Sequence, residues 1–136
     1  MDFLRSIAIA ASGLRAQAGR MRIIAENIAN ADSTAPKAGA DPYRRKIASF
    51  RGEIDRTLNA QMVELGRVKT DPSDFRLKYQ PGHPAADANG NVKYPNVNSL
   101  IEMMDLREAQ RSYEANINVI GASRRMIQRT IEILKS

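Results

Sequence analysis

The fold of this chain is decided by "LRSIAIAASGLRAQAGRMRIIAENI" (residues 4–28), in which apolar residues recur at steps of three and four. This heptad spacing is typical of a helix that packs along one seam. Small alanines alternate with larger side chains, which lets a second helix approach closely. The seam residues are Leu4, Ile7, Ala11, Leu14, Ala18, Met21, Ala25 and Ile28. We therefore expect an N-terminal helix within residues 1–30, about 40 Å long at about 1.5 Å per residue.

The C-terminal segment, residues 98–136, repeats this spacing over a longer distance. Asn98 or Ser99 can cap its start, and Glu102 falls in the first turn, where the helix dipole favours an acid. Its seam residues are Met103, Leu106, Gln110, Tyr113, Ile117, Ile120, Arg124, Ile127, Ile131 and Leu134. Because the chain leaves by one helix and returns by the other, we expect them to pair as an antiparallel coiled coil forming one helical domain.

The middle of the chain, residues 31–97, differs from the two ends in composition, because it contains all six prolines. Its strand-like runs are "YRRKIASF" (43–50), "MVELGRVKT" (62–70) and "FRLKYQ" (75–80), with turns expected at "DPSD" (71–74) and Asn89-Gly90. Residues 52–61 match no pattern. We expect a small antiparallel hairpin or a three-stranded sheet, and hence a mainly α fold with a small β insert.

The residues that catalysis or metal binding needs are missing or isolated. The chain has no cysteine and one histidine, His83, which lies between Gly and Pro and is expected to be an exposed turn residue. "DANGNVKYPNVN" (87–98) starts like a calcium loop, but Val92 occupies the required glycine position and Asn98 the position of the bidentate Glu. We therefore predict no catalytic, metal or cofactor site, no small-molecule substrate and no enzymatic activity.

The net charge of +6 is spread thinly along the chain rather than collected into a stripe. One basic cluster, "YRRK" (43–46), lacks interleaved aromatic residues and is interpreted as a solvated strand or a subunit contact. No apolar run approaches the roughly 20 residues of a membrane span. The helical spacing also continues through the N-terminal region where a signal peptide would be cleaved, so any export is expected to proceed without cleavage.

Both predicted helices carry more apolar surface than two paired helices can cover. A chain of this kind is expected to pack against copies of itself or against related subunits. Two alternatives stay open at this point. One is a secreted protein that binds membranes through its amphipathic helices; the other is a small basic nucleic-acid-binding protein, for which the dispersed charge predicts only weak binding.

The first helix is expected to end within "NIANADSTAPKAG" (27–39). Asn30 and Asp32 are typical of a helix end, and Pro36 prevents continuation. Asn27 lies a full turn earlier, where no stop signal is needed. Because its amide can donate and accept at once, we expect Asn27 to form hydrogen bonds across an interface, either with the returning helix or with a neighbouring subunit.

Four stretches resemble the axial proteins of bacterial flagellar rods and hooks. "ASGLRAQAGRMRIIAENIANADSTA" (11–35) is similar to the N-terminal signature of this superfamily, with Ile28 where Leu is usual. The narrower resemblance, to the proximal-rod FlgC family, is carried by "DPYRRKIASF" (41–50), "GHPAADANGNVKYPNVN" (82–98) and "RSYEANINVI" (111–120). Together these stretches span nearly the whole chain.

The resemblance implies a structural subunit of the periplasm-spanning rod, which transmits torque and encloses the export channel. It implies that the terminal helices assemble helically with other rod subunits and with copies of this chain, near the base of the rod at the membrane ring. Export through the flagellar type III apparatus is also implied. "FLRSI" (3–7) resembles the short element that the export gate recognises, with Phe3 and Ile7 as its candidate contacts. No nucleic-acid partner is implied.

Overall fold

The computed structural model describes residues 2–135 and contains two α-helices with six short strands between them. Helix α1 spans Phe3–Ala29 and helix α2 spans Ser99–Lys135. The Asn98 side chain accepts hydrogen bonds from the N–H groups of Leu100 and Ile101, which makes Asn98 the N-cap of α2. The predicted fold class, mainly α with a small antiparallel β region between two long helices, is confirmed.

The β region differs from the single hairpin or three-stranded sheet predicted above. Its strands form three separate two-stranded antiparallel sheets, in which β1 pairs with β4, β2 with β3 and β5 with β6. The strand bounds are β1 Lys46–Ile47, β2 Phe50–Asp55, β3 Ala60–Leu65, β4 Lys69–Thr70, β5 Arg76–Tyr79 and β6 Asn91–Tyr94. Two predicted runs each split into two strands, and residues 52–61 form most of the β2–β3 hairpin. Strands this short, interrupted by glycine and proline, have too few ladder bonds to extend into one sheet.

The described residues group into two compact units, and each unit contains part of both helices. The boundaries of the units therefore differ from those of the three segments named in the sequence analysis. The first unit combines residues 2–21 of the N-terminal region, the β2–β3 hairpin and α2 from residue 107 onward. Small residues let its elements approach closely. A Cβ atom at Gly13 would lie 2.9 Å from the Asn116 amide of α2, and one at Gly19 would lie 2.9 Å from Leu65 of β3.

The two helices run antiparallel within this first unit. Gly13 lies opposite Asn116, and the Arg20 guanidinium lies 3.7 Å from the Glu108 carboxylate. The hairpin is joined to α1 by Ser12, whose buried hydroxyl accepts a 3.2 Å hydrogen bond from the Val63 N–H.

The second unit comprises residues 22–48 and 68–106. Its apolar centre consists of Val92 and Tyr94 of β6 together with Ala85. The predicted Asn89-Gly90 turn is present and precedes β6. Gly90 has φ +81°, and a Cβ atom there would lie 2.8 Å from the Tyr79 ring, so both its backbone conformation and the space around it require glycine.

On both helices, the residues that are fully buried differ from the predicted seam residues. No seam residue of α1 is fully buried. On α2, Met103, Gln110, Ile117 and Arg124 are exposed, whereas the residues that precede each of them are buried or half-buried. These inward residues are Glu102, Ala109, Asn116 and Ser123. The physical reason is that small and polar residues allow close approach and hydrogen bonding within the chain. Ile23 and Ile24 of α1 are buried as well, but many other large apolar residues of the helices face outward.

Candidate assembly surface

Large apolar side chains are exposed along both helices. The exposed fraction is 68% for Leu4, 51% for Met103, 46% for Ile117 and 81% for Leu134. Further exposed apolar residues of the helices are Ile9, Leu100, Ile101, Met104, Val119, Met126, Ile131 and Ile133. A monomeric soluble protein rarely leaves so many large apolar side chains in water on two elements, so this surface is suited to contact with other proteins.

Apart from Asn27, which is buried, the predicted packing residues fall into two groups. Leu4, Met103, Ile117, Ile131 and Leu134 are exposed. The half-buried group comprises Ile7, Leu14, Met21, Ile28, Asn30, Leu106, Tyr113, Ile120 and Ile127, together with Phe3 at the start of α1. Each seam therefore presents at least part of its apolar surface to solvent.

The C-terminal end of α2 extends beyond the start of α1, the helix that runs antiparallel to it in the first unit. In the first unit Gly13 lies opposite Asn116 and Arg20 opposite Glu108, and the same register places Phe3 opposite about residue 126. The following residues of α2 extend beyond the start of α1 by about 14 Å, at about 1.5 Å per residue. Residues 128–135 are all exposed. We call residues 127–135 the α2 overhang.

Asn27 lies in the second unit at the centre of a polar network. Its amide nitrogen donates to the Lys46 carbonyl at 2.8 Å and to the Glu102 carboxylate of α2 at 3.2 Å. Its amide oxygen accepts from the Tyr43 hydroxyl at 2.7 Å and from the Lys46 N–H at 2.9 Å. Both donors and both acceptor positions of the amide are used. The bond to Glu102 agrees with the expectation that Asn27 contacts the returning helix.

Asn30 performs the helix-ending role expected of it. Its side-chain nitrogen donates to the Glu26 carbonyl at 2.9 Å, and its side-chain oxygen accepts from the Ser33 hydroxyl at 3.1 Å. Because α1 ends at Ala29, these bonds satisfy polar groups at the helix end and start the following turn.

Glu102 and Arg45 form the charged part of the network. Glu102 is 1% exposed, and its carboxylate accepts hydrogen bonds from Asn27 and from Arg45 Nε. The Arg45 guanidinium also lies 3.4 Å from the Asp71 carboxylate. Burial lowers the pKa of Arg45, but the hydrogen bond and charge of Glu102, together with Asp71, raise that pKa above its usual range. A buried carboxylate of this kind needs its cationic partner.

The interpretation of the basic "YRRK" cluster as a solvated strand is wrong, whereas its interpretation as a subunit contact stays a prediction. Lys46 pairs with Glu26, Arg45 pairs with acids of the same chain, and Arg44 lies over the Phe75 ring at 4.1 Å. The cluster is occupied by intrachain partners. Sequence reasoning missed this because the partner acids lie far away along the chain and no short motif connects them.

Tyr43 provides a spectroscopic probe of the network. Burial raises the pKa of its hydroxyl to about 12, with contributions from the charges of Glu26 and Glu102. Above pH 10 the unfolded chain loses a proton that the native chain retains, so Tyr43 is expected to lower stability progressively as pH rises from about 10 to about 12. In an ultraviolet pH titration, Tyr43→Phe should remove the ionisation centred near pH 12; an unchanged ionisation near pH 12 in this variant would contradict the assignment.

Two features are absent from residues 2–135, the part of the chain that the structure describes. Neither helix combines the length and apolarity that crossing a bilayer demands. No cluster of metal-ligating side chains was found among the same residues. His83 lies in a turn, where its Nδ1 accepts a 3.0 Å hydrogen bond from the Ala85 N–H.

Comparison with known proteins shows which family the chain resembles. The family model described as "Flagella basal body rod protein" matches residues 7–37, and "Flagellar basal body rod FlgEFG protein C-terminal" matches residues 88–133. These matches cover most of α1 and α2, along which many of the exposed apolar residues lie.

Full-length relatives make the assignment narrower. "Flagellar basal-body rod protein FlgC" of Agrobacterium fabrum is 52% identical over 128 residues, which cover 94% of this chain and 92% of the relative. The FlgC proteins of Bacillus subtilis and Salmonella typhimurium are 39% and 38% identical, each with at least 98% of both chains covered. These relatives give no support to a membrane-active or nucleic-acid-binding function; they identify a structural rod subunit and not an enzyme. The chain belongs to the FlgC family of flagellar basal-body rod proteins.

Proposed function

We propose that the outward-facing seams of α1 and α2 pack against neighbouring rod subunits and thereby build this chain into the rod. The observation that carries the proposal is that large apolar residues are exposed along both helices, at heptad positions such as Leu4, Met103 and Ile117 and at positions beside them. Apart from Ile23 and Ile24, the fully buried positions of the two helices are small or polar. Its large apolar positions are therefore available for contacts between subunits.

The geometry of such packing is heterologous, because a helix seam of one subunit meets a different surface of the next. Heterologous contacts propagate as an open helix when the rotation between subunits does not close into a ring. In the assembled rod, α1 and α2 pair as an antiparallel coiled coil in which the seams meet those of neighbours. Support comes from the heptad spacing of both seams and from the antiparallel direction of the helices in the first unit.

In this arrangement the paired helices form an inner layer around the export channel, and the β region distinguishes this subunit from others. The rod crosses the periplasm and transmits torque from the motor to the hook. The partners are other rod subunits, copies of this chain and the base of the rod near the membrane ring. Family membership supports this placement, since the relatives are named as basal-body rod proteins.

Export to this site is proposed to use the flagellar type III apparatus, without a cleaved signal peptide. The candidate recognition residues are Phe3 and Ile7, which lie in the first two turns of α1 and are half-buried. An apparatus that exports unfolded chains would bind this element before folding. Phe3 and Ile7 would then be accessible, because the contacts of α1 have not yet formed.

The proposal predicts that the isolated chain has less helix than Phe3–Ala29 and Ser99–Lys135 together account for. Helix ends without tertiary packing fray, and residues 128–135 of the α2 overhang are exposed. Circular dichroism should therefore show helix content that rises with protein concentration. Full helix content in the dilute monomer, unchanged on concentration, would contradict the dependence on neighbours.

A further inference from the structure

Helix α2 contains an internal repeat of eight residues. The segment "REAQRSYE" (107–114) recurs as "RMIQRTIE" (125–132), with two arginines, a glutamine and a glutamate at matching positions. The second segment starts 18 positions after the first, which is about five turns at about 3.6 residues per turn. The two segments therefore present the same face of the helix, about 27 Å apart along its axis.

The charged residues of the repeat are exposed and form no ion pair within residues 2–135. They are Arg107, Arg111, Glu114, Arg125, Arg129 and Glu132. In each segment the two arginines are four residues apart, and like charges at this spacing on a helix repel each other. The repeated face is therefore suited to an acidic partner supplied from outside the chain.

This face points away from the other elements of the first unit. At about 100° per residue, its arginines lie on the side of α2 opposite to Ala109, Asn116 and Ser123. Ala109 and Ser123 are buried, and Asn116 lies against Gly13 of α1. The charged face is thus directed toward solvent, where a neighbouring molecule can reach it.

Positive and negative charges lie on different edges of the face. Around the helix, Arg111 and Arg129 are separated by about 60° from Glu114 and Glu132. We call the two arginines the basic edge and the two glutamates the acidic edge. The members of each edge are 18 residues apart, so the two positive charges have the same axial spacing as the two negative charges.

Exposed apolar side chains adjoin each edge. Val119 and Met126 lie on the side of the basic edge and are 47% and 41% exposed. Ile117 lies on the side of the acidic edge and is 46% exposed. One flank of α2 therefore combines apolar area with positive charge, and the opposite flank combines apolar area with negative charge.

The two flanks are complementary when they belong to two different copies of the chain. If two copies of α2 run parallel with their charged faces in the same direction, the basic edge of one lies beside the acidic edge of the next. Because both edges have the same spacing, the axial shift that pairs Arg111 with Glu114 also pairs the second arginine with the second glutamate. A second copy of α2 thus matches both the sign and the spacing of the charges.

We propose that α2 of one copy packs parallel to α2 of the next copy, with the basic edge of one against the acidic edge of the other. The proposal rests on the rod assembly proposed above and specifies the partner at this surface. Exposed ion pairs add little to affinity, so Ile117 of one copy and Val119 and Met126 of the next supply most of the contact. The charges determine which flanks meet and at what axial shift. Since the two flanks differ, the contact can continue from copy to copy.

Reversing the charge of one edge at a time tests the contact. Arg111→Glu combined with Arg129→Glu makes both edges acidic, and Glu114→Arg combined with Glu132→Arg makes both edges basic. Like charges then meet, so each double variant should be incorporated into basal bodies about tenfold less than the unaltered chain. The variant with all four substitutions has exchanged edges and should recover incorporation to within about twofold. All four positions are exposed, so the isolated variants should keep the thermal stability of the unaltered chain.

Cysteine cross-linking identifies the partner, because the chain has no cysteine of its own. One tagged copy carries Arg111→Cys and a differently tagged copy carries Glu114→Cys. A short bis-maleimide added to purified basal bodies should give a dimer that contains both tags. The matched control pairs Arg111→Cys with Glu132→Cys, positions that the proposed shift holds about 27 Å apart, and it should give little dimer.

The outcomes separate this contact from rod assembly itself. Failure of the fourfold variant to recover, or cross-linking of Glu114→Cys to a different rod protein, would overturn the contact between copies. Normal incorporation of both double variants would overturn the role of the charges, and equal dimer in the cross-linking control would overturn the parallel register. Assembly through the seams is tested separately by incorporation of Leu14→Asp, because Leu14 lies on α1 and on neither edge.

Discussion

Ile117→Asp is expected to abolish incorporation of the chain into the basal body, and with it swimming, while synthesis of the chain continues. Ile117 is 46% exposed, so a carboxylate there remains hydrated in the isolated chain and costs little. In the rod the same carboxylate would be buried against a neighbour without a partner, at a cost of about 2–4 kcal/mol at each contact. The cost recurs at every copy. Leu14→Asp should act in the same direction from α1.

The measurement is the amount of variant chain in purified basal bodies, together with motility in soft agar. Asn118→Asp is the matched control, because it introduces the same charge one residue away at an exposed polar position. It should leave incorporation close to that of the unaltered chain. Normal swimming of Ile117→Asp would contradict the assignment of the α2 seam to subunit contacts.

Arg45→Ala is expected to give the largest loss of stability in the folded chain, about 3 kcal/mol in the free energy of unfolding. The substitution leaves the Glu102 carboxylate, which is 1% exposed, with Asn27 as its remaining side-chain donor. It also removes the cation that lies 3.4 Å from Asp71. Because these residues join α1, β1 and the first turn of α2, the loss affects the whole second unit. Chemical denaturation of the purified chain measures it.

Arg44→Ala is the control for this prediction. Arg44 is the preceding residue and carries the same charge, but it lies over the Phe75 ring and donates to backbone carbonyls of Asp71 and Ser73. Its loss is expected to cost about 1 kcal/mol. Equal destabilisation by the two substitutions would show that the charge of Arg45 has no special partner.

The elements that depend on local spacing could be predicted from the sequence. The heptad pattern predicts α1 and α2 to within a few residues, and Asn89-Gly90 predicts the turn before β6, because each signal lies within a few positions of the structure it determines. The chemistry of Asn27 likewise indicated a residue that bonds across an interface.

The buried face of each helix could not be predicted in the same way. A search for the largest apolar residues selects Met103 and Ile117, whereas the chain buries Glu102 and half-buries Asn116 one residue earlier. Close helix approach at Gly13 and bonding by Glu102 depend on residues distant in sequence. The polar network could not be predicted for the same reason, because Arg45 binds Glu102, a residue 57 positions further along the chain. For a subunit of an assembly, the strongest apolar pattern describes the contacts with its neighbours as well as its own core.

We expect the outward seam of α2 to become buried when the chain joins the rod. Ile117→Cys tests it, since the chain has no other cysteine and the thiol reports accessibility at that position alone. The thiol should react rapidly with a maleimide in the isolated chain and should be strongly protected from labelling in purified basal bodies. Equal labelling in the two states would contradict it.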